Sequence, residues 1–267
     1  MSALIDNLLW YSIVSNFWQN CLSRIGEGVD SAIEAVRRSL RASQLVAFTG
    51  AGISAESQVP TFRGADGLWR NYSPESLATA EAFTSDPHLV WEWYDWLRGL
   101  IHEAQPNPGH LALTELQRRN PKGFTLVTQN IDGLHERAGS HDVVKLHGDI
   151  WRLRCTACGR EELNEQVPTD HLPPLCRCGG IQRPAIVWFG EMLPEEEWER
   201  AVDAARQANV FIAVGTSALV YPAAGLVKVA RQSGALVVIV NPDPTPADDL
   251  AKWILRGPAG EILPRLL

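Results

Sequence analysis

The chain has 267 residues, a length that suits one sizeable domain with a small accessory module. Hydrophobic residues make up 45% of it and charged residues 21%, which excludes wholesale disorder. The formal net charge is -7, and the Lys and Arg residues form no cluster. We therefore expect no nucleic-acid partner, because binding phosphates requires clustered cations.

Residues 1–28 are apolar in places and precede the first strong pattern. The segment has no basic residue before Arg24, which argues against a signal or transit peptide, and polar residues break its apolar run too often for a transmembrane span. Apolar residues recur at helical spacing at Leu4, Leu8, Tyr11, Trp18 and Cys21. This spacing predicts an amphipathic helical extension, for which packing on the main domain is favoured over self-association or a peripheral membrane contact. We expect a cytoplasmic protein.

Helical and strand patterns alternate along much of the remaining chain. Residues 30–42 have a helical pattern that places Ile33, Val36 and Leu40 on one face. Four short apolar runs predict buried strands, at 45–48, 124–128, 210–214 and 236–240, and a helix is predicted at 222–232. This alternation is typical of an α/β fold with a parallel sheet. Because such sheets bind ligands beyond the carboxyl ends of their strands, the residues after each run are the first site candidates.

Two stretches do not fit a parallel sheet. Residues 64–117 are helix-rich and contain many tryptophans, while residues 151–183 carry four of the five cysteines and several prolines. We predict that they form a second, smaller lobe within a catalytic domain at 29–267. The larger lobe would then comprise about 29–63, 118–150 and 184–267.

The first predicted strand is followed by the sequence GAGISA at 50–55, a GxGxxA turn. Small residues there allow backbone N–H groups to approach a pyrophosphate at a helix N-terminus, although similar glycines also form tight turns that bind nothing. A hydride-transferring dehydrogenase would place an acidic residue about twenty positions on, at the end of a second strand. Here the chain continues with ESQVPTFRG and no apolar strand, so a dehydrogenase is disfavoured.

The cysteine spacing predicts a metal site. Its four members are Cys155, Cys158, Cys176 and Cys178. Four thiolates from two tight turns favour one tetrahedral zinc ion, and such a closed site is structural because it leaves no open coordination position. A redox pair is disfavoured because no thioredoxin-like strand and helix flank the CxxC. A nucleic-acid-binding ribbon is disfavoured because the segment between the pairs is acidic.

Several motifs in a fixed order resemble those of the sirtuin family. They are GAGISAESQVPTFRG (50–64), TQNIDGLHERAG (128–139), KLHGD (145–149), the paired cysteines, RPAIVWFGE (183–191), GTSALVYPAA (215–224) and VNPD (240–243). Gln58 departs from the family, which usually has glycine there. The resemblance implies a Rossmann-like parallel sheet with helices on both faces, a smaller zinc-binding lobe and a helical insertion. It also implies an NAD-dependent protein-lysine deacylase that transfers the acyl group of a protein or peptide to ADP-ribose and releases nicotinamide.

The resemblance assigns cofactor contacts residue by residue. The pyrophosphate cradle would comprise Gly50, Ala51, Gly52, Ser54 and Ala55, and the cover of the nicotinamide ribose would comprise Thr61, Phe62, Arg63 and Trp69. The nicotinamide pocket would comprise Gln129, Asn130, Ile131 and Asp132, the adenosine side Gly215, Thr216, Ser217 and Asn241, and the adenine shelf Ala259. Asn130 and Asp132 suit an amide because together they offer a donor and acceptors. For the adenosine side and the adenine shelf, plain turn chemistry is the alternative.

His147 and Asn130 are the predicted catalytic residues. The resemblance implies that His147 also contacts the cofactor and acts as a general base on a ribose hydroxyl, after the acyl oxygen of the substrate has displaced nicotinamide. An imidazole titrates near working pH, so it can accept that proton and later return one. A structural role is the commoner one for a single histidine, but the position of His147 in LHGD after a predicted strand favours catalysis.

The segment TFRGADGLWR at 61–70, followed by VWEWY at 90–94, resembles the class III, desuccinylase-like bacterial branch. That branch pairs a tyrosine with an arginine three residues later to hold an acidic acyl group. Tyr94 is present here, but position 97 is Leu and the arginine is Arg98. Residues in a helix rotate by about 100° each, so Tyr94 and Arg98 share a face but the guanidinium starts from another angle. We expect deacetylation with weak or absent desuccinylation. Desuccinylase or demalonylase activity stays open as an alternative.

The substrate peptide is expected to add a strand between two segments, as in the family. The predicted contacts are Val187, Phe189, Gly190, Glu191 and Val220. Two other functions stay open: an ADP-ribosyltransferase or NAD hydrolase, which also cleaves the nicotinamide bond, and a non-catalytic NAD- or zinc-dependent interaction protein. The presence of His147 and of the FGE segment favours deacylation.

Overall fold

The computed structural model describes residues 30–40, 44–61 and 74–267. The predicted extension at 1–28 therefore lies outside the described residues, as do Phe62, Arg63 and Trp69. The strands are β1 (Leu45–Thr49), β2 (Phe124–Thr128), β3 (Val144–Lys145), β4 (Gly148–Cys155), β5 (Glu161–Leu163), β6 (Gln182–Ile186), β7 (Val210–Val214), β8 (Leu236–Val240) and β9 (Trp253–Leu255). The helices are α1 (30–39), α2 (Pro74–Leu77), α3 (Ala80–Ser85), α4 (Pro87–Glu103), α5 (Pro108–Arg119), α6 (Leu134–Arg137), α7 (Glu195–Gln207), α8 (Gly225–Gln232) and α9 (Ala259–Ile262).

The larger sheet has six parallel strands in the order β3-β2-β1-β7-β8-β9. All four predicted strands are present and form its centre. The chain runs from β1 through β2 to β3 on one side, and β7 then pairs with β1 on the other. Strand order therefore reverses at β1, and a crevice is expected between the loops that follow β1 and β7.

Helices cover both faces of this sheet, which confirms the predicted fold class. Alternate strand residues point to opposite faces, and both faces are buried, so each strand is an uninterrupted apolar run. Ala47 packs with Leu113 in the core beneath α1, α5 and α9. On the other face, Phe48 and Phe211 pack with Leu226 in the core beneath α7 and α8. Helix α8 begins at Gly225 rather than at the predicted residue 222, because a turn precedes it.

A second sheet is antiparallel, with strand order β5-β4-β6, and it packs against the helical segment that contains α2, α3 and α4. Helix α4 begins after Asp86, whose side chain accepts a hydrogen bond from Leu89 N, and Pro87 occupies its first turn. Trp91 and Trp93 are buried in this core, whereas Trp96 is 45% exposed. None of the helices within the described residues is long and apolar enough to cross a membrane.

Candidate functional site

A cleft of about 770 Å³ opens at the carboxyl edge of the parallel sheet. The loops that follow β1, β2, β7 and β8 contribute most of its lining. Among the predicted cofactor residues, the lining includes Gly50, Ala51, Gly52, Ala55, Thr61, Gln129, Asn130, His147, Gly215, Thr216, Ser217 and Asn241, and it also includes the predicted substrate residue Val220. The structure thus brings together residues that are up to about 190 positions apart, as expected for strand ends in a parallel sheet.

Three glycines bring the loops after β1 and β7 into contact at the floor of the cleft. Gly52 N donates to Gly215 O at 2.8 Å, and Gly50 N donates to Val214 O at 3.0 Å. A Cβ on Gly52 would lie 2.7 Å from Gly215 O, and Gly215 itself has a φ of 57°. Larger side chains therefore do not fit at this contact. The turn after β1 continues as a 3-10 helix, Ala51–Ser57.

His147 stands between β3 and β4 at the wall of the cleft. Its Nδ1 lies 2.9 Å from Gln129 O. Because a carbonyl oxygen only accepts, Nδ1 carries the proton and Nε2 keeps its lone pair. Burial lowers the pKa of His147, and the bond to Gln129 partly opposes this shift. The ring is therefore a neutral base at neutral pH, with a fixed tautomer.

Asn130 is backed by a buried hydrogen-bonded chain. Its Nδ2 donates to Ser54 Oγ at 3.3 Å, and Ser54 Oγ donates to Asp132 Oδ2 at 2.8 Å. Asp132 Oδ1 accepts from Leu134 N at 2.9 Å. Burial raises the pKa of Asp132, while the bonds from Leu134 and Ser54 act in the opposite direction. Ser54 and Asp132 thus lie behind the cleft lining and position Asn130 rather than lining the cleft themselves.

His110 and Asn107 extend this chain, and sequence reasoning missed both. His110 Nδ1 accepts from Asn107 N at 3.3 Å, which leaves the proton on Nε2, 3.4 Å from Ser54 Oγ. Burial lowers the pKa of His110 to about 4, so the ring is neutral. Asn107 also caps α5 and donates to Ile53 O at 2.7 Å. The asparagine followed by proline at the start of a helix is a capping pattern that could have identified Asn107.

Two further predicted cofactor residues, Ile131 and Ala259, lie away from the cleft lining. Ile131 is partly buried against the core of the smaller lobe. Ala259 is 4% exposed at the first residue of α9, close to Gly109. The cleft also has lining residues that sequence reasoning missed, namely Gln58, Val59, Pro60, Leu219 and the segment 242–246. The sequence PDPTP at 242–246, one residue after the end of β8, is the signal that could have indicated this wall.

The four predicted cysteines converge at one end of the smaller sheet. Their Sγ atoms all lie within 4.8 Å of one another, with Cys155 and Cys178 at 3.5 Å and Cys158 and Cys176 at 3.8 Å. Tetrahedral zinc with Zn–S bonds of about 2.3 Å places sulfurs about 3.8 Å apart. The donor set therefore suits one structural zinc ion. Within the described residues, no second group of three or more such side chains is assembled.

The predicted substrate segment follows β6. Phe189 is 43% exposed, whereas Glu191 accepts from Arg183 Nη2 at 2.9 Å and from Trp188 N at 2.8 Å. These bonds fix the turn, in which Gly190 has a φ of 87°. Val187 N donates to His147 O at 2.9 Å, which links the segment to the cleft. Val187 and Glu191 themselves line a neighbouring groove of about 690 Å³.

Arg98 does not lie where an acyl carboxylate could meet it. The residue is 0% exposed, and its guanidinium donates to Asn164 O at 2.6 Å and to Asn164 Oδ1 at 2.7 Å. Tyr94 is 2% exposed, and its hydroxyl accepts from Trp188 Nε1 at 3.0 Å. The predicted contact of Arg98 with substrate is thus corrected: polar groups of the smaller lobe surround this face of α4, so the arginine satisfies them instead.

A cleft floored by glycines at the point where the order of parallel strands reverses is the place where doubly wound proteins bind dinucleotides. The fold and the cleft thus define a nucleotide-binding α/β protein. Residues 50–222 match the model of the Sir2 family. The chain belongs to that family, in agreement with the resemblance.

Relatives and solved structures share most of the chain. The NAD-dependent protein deacylase of Aquifex aeolicus is 56% identical over 208 residues, which are 78% of this chain and 87% of the relative. That of Thermus thermophilus is 50% identical over 239 residues, 88% and 93% of the two chains. A Sir2 homolog–NAD complex matches with a TM-score of 0.82 and 46% identity, covering 87% of this chain and 91% of its own. A Sir2 complex with a p53 peptide and NAD+ matches with a TM-score of 0.78 and 35% identity, covering 86% and 94%.

Proposed function

We propose that this chain is an NAD-dependent protein-lysine deacylase that removes acetyl groups. The observation that carries the proposal is His147, a neutral imidazole in a dinucleotide-type cleft, with its tautomer fixed by Gln129 O. Nε2 of His147 has no hydrogen-bond partner among the described residues, so it can accept a proton at the cleft wall. The names of the relatives and the solved complexes with NAD and peptide support the same activity.

The cleft residues suit NAD. The glycine floor allows close approach of a pyrophosphate, and Asn130 offers the carboxamide both a donor and an acceptor. Gly215, Thr216 and Ser217 would hold the adenosine side. The dinucleotide supplies the ribose carbon that accepts the acyl oxygen as nicotinamide leaves. Phe62 and Arg63 remain the predicted cover of that ribose.

His147 would remove a proton from a ribose hydroxyl. The hydrogen bond from Nδ1 to Gln129 O orients the ring and stabilises the imidazolium that forms. Because burial lowers the pKa of His147, the ring is unprotonated and ready at neutral pH. Asn130, held by Ser54, would keep the nicotinamide side of the dinucleotide in place.

An acyl-lysine peptide would lie between the segment at 187–191 and the Val220 loop. Exposed apolar side chains flank this region, with Phe189 at 43%, Leu219 at 55% and Tyr221 at 75% exposure, which favours a docked peptide. Arg98 is already bonded to the smaller lobe, so it offers no cation to a succinyl group. We therefore favour acetyl-lysine over succinyl-lysine substrates.

Reduced thiols at the zinc site favour a cytoplasmic setting.

Replacing the base tests the proposal. His147→Tyr should lower deacetylation of an acetyl-lysine peptide by about 10²–10⁴-fold, because the reaction loses its general base. The Kd for NAD, measured by calorimetry, should stay close to the wild-type value, and His147→Ala should behave alike without the bulk of tyrosine. His88→Tyr is the matched control, because that side chain is 59% exposed on α4. Near-normal turnover by both His147 variants would refute the proposed role.

A further inference from the structure

Trp151 lies directly beneath the turn that carries Asn130 and Asp132. Its Nε1 donates to Asp132 O at 2.8 Å, and the preceding Ile150 N donates to Ile131 O at 3.1 Å. Strand β4 therefore holds two consecutive carbonyls of the turn. The side chains of Asn130 and Asp132 leave the same short stretch of backbone, so their positions depend on these two bonds.

The indole of Trp151 and the turn are in close contact. Gly133 has a φ of 75°, and a Cβ at that position would lie 3.1 Å from Cδ1 and 3.2 Å from Nε1 of Trp151. The ring thus packs against the bare backbone of the turn. A shift of the ring would have to be matched by a shift of the turn, because packed groups at this distance have no free space between them.

Trp151 also faces Arg98. The guanidinium carbon lies 5.3 Å from the centroid of the indole, within the range of a cation–π contact. Arg98 is 0% exposed, and within the described residues its Nε has no hydrogen-bond partner. The position of the guanidinium is set by Nη1 and Nη2, whose hydrogen bonds all go to the segment between the two cysteine pairs.

That segment, residues 164–169, is held by α4 at several points. Arg98 Nη2 donates to Asn164 O, Asn164 Oδ1 and Gln166 O at 2.6, 2.7 and 3.2 Å, and Nη1 donates to Thr169 Oγ1 at 3.3 Å. Asp95 Oδ1 accepts from Thr169 N at 2.9 Å and from Thr169 Oγ1 at 2.6 Å. Asn164 N in turn donates to Trp151 O at 2.8 Å. The contacts from 164–169 to Asp132 are therefore continuous.

We propose that Trp151 is a positioning residue for the nicotinamide side of the cleft, and that Arg98 on α4, bonded to residues 164–169, holds it in place. This inference rests on the proposed function, in which Asn130 meets the nicotinamide carboxamide and Asp132, through Ser54, holds Asn130 in place. Arg98, which the resemblance would assign to acyl selectivity, instead affects binding of the dinucleotide. Its substitution should change the affinity for NAD and nicotinamide rather than the choice of acyl group.

Trp151→Phe tests the first step, because it removes the N–H donor and keeps an aromatic ring. It should raise the Kd for NAD and the inhibition constant of nicotinamide by about threefold to tenfold, the range for one lost hydrogen bond, while KM for the acetyl peptide stays unchanged. Trp91→Phe is the matched control, because Trp91 Nε1 donates at the same 2.8 Å to Gln182 O, away from the turn. It should lower Tm and leave both nicotinamide-side constants at the wild-type values.

Arg98→Lys tests the second step, because it keeps the charge and loses the planar fork. It should raise the same two constants, and the effect of the double variant with Trp151→Phe should be smaller than the product of the single effects. Fold-changes that simply multiply would overturn the link through Arg98. Equal constants in Trp151→Phe and Trp91→Phe would overturn the role of Trp151. NAD binding is measured by calorimetry and does not depend on deacetylation. A wild-type protein that binds NAD without deacetylating would therefore refute the proposed function, while the Kd values of Trp151→Phe and Trp91→Phe would still test this inference.

Discussion

The cleft and helix α4 differ in how far the sequence indicates which residues lie together. Gly50, Gln129 and Gly215 each come within a residue or two of a strand end, and parallel pairing of those strands brings them to one edge. On α4, by contrast, Trp91 and Arg98 are both 0% exposed and bond to Gln182 and Asn164, which are distant in sequence. Residues that follow parallel strands can therefore be expected from the sequence to lie together. The partners of residues on a helix that is buried on several sides cannot.

Zinc removal should give the largest difference between the sheet that carries the cleft and the smaller sheet against which α4 packs. Structural zinc contributes on the order of 10 kcal/mol or more to small metal modules, so chelation should unfold the smaller antiparallel sheet. Hydrogen exchange measured by mass spectrometry should show lost protection at 148–186 and retained protection in β1, β2, β7 and β8. Cys158→Ser should act like chelation, and Arg177→Ser, an exposed residue in the second cysteine turn, is the control. Unchanged melting after metal removal would contradict a structural zinc site.

Two glycine substitutions sharpen the comparison at a smaller scale. Gly52→Ala should destabilise the protein by about 1–3 kcal/mol, because the new Cβ would lie 2.7 Å from Gly215 O. Gly99→Ala on α4 should stabilise it by about 0.5–1 kcal/mol, because no heavy atom lies within 4 Å of the new Cβ and alanine favours a helix. Urea unfolding of both variants measures these differences. A Gly52→Ala protein as stable as wild type would mean that the floor of the cleft can relax.

The sheet and most of the cleft could be predicted because their signals are local. Four apolar runs identified the central strands, and the residues after them, among them Gln129 and Asn241, do line the cleft. The cysteine spacing likewise predicted the cluster of thiols, because two tight turns bring the pairs together. These signals need no knowledge of the tertiary packing.

The rest depended on contacts that sequence spacing does not encode. Ser54 and Asp132 were predicted as cofactor contacts, but their hydrogen bond to each other places them behind Asn130. His110 was missed because its partner, Ser54, is 56 residues away. Arg98 was assigned by its separation from Tyr94, yet the partners on the smaller lobe decide where a buried guanidinium lies.

Product analysis of the wild-type protein tests the central claim most directly, namely that acyl transfer from lysine to the dinucleotide takes place in this cleft. Purified zinc-containing protein would be incubated with NAD and matched acetyl-lysine and succinyl-lysine peptides, and all products quantified by mass spectrometry. We predict equal amounts of free lysine peptide, nicotinamide and acetyl-ADP-ribose from the acetyl peptide, and little turnover of the succinyl peptide. Consumption of NAD with the acetyl-lysine peptide left intact would contradict the claim and indicate an NAD hydrolase instead.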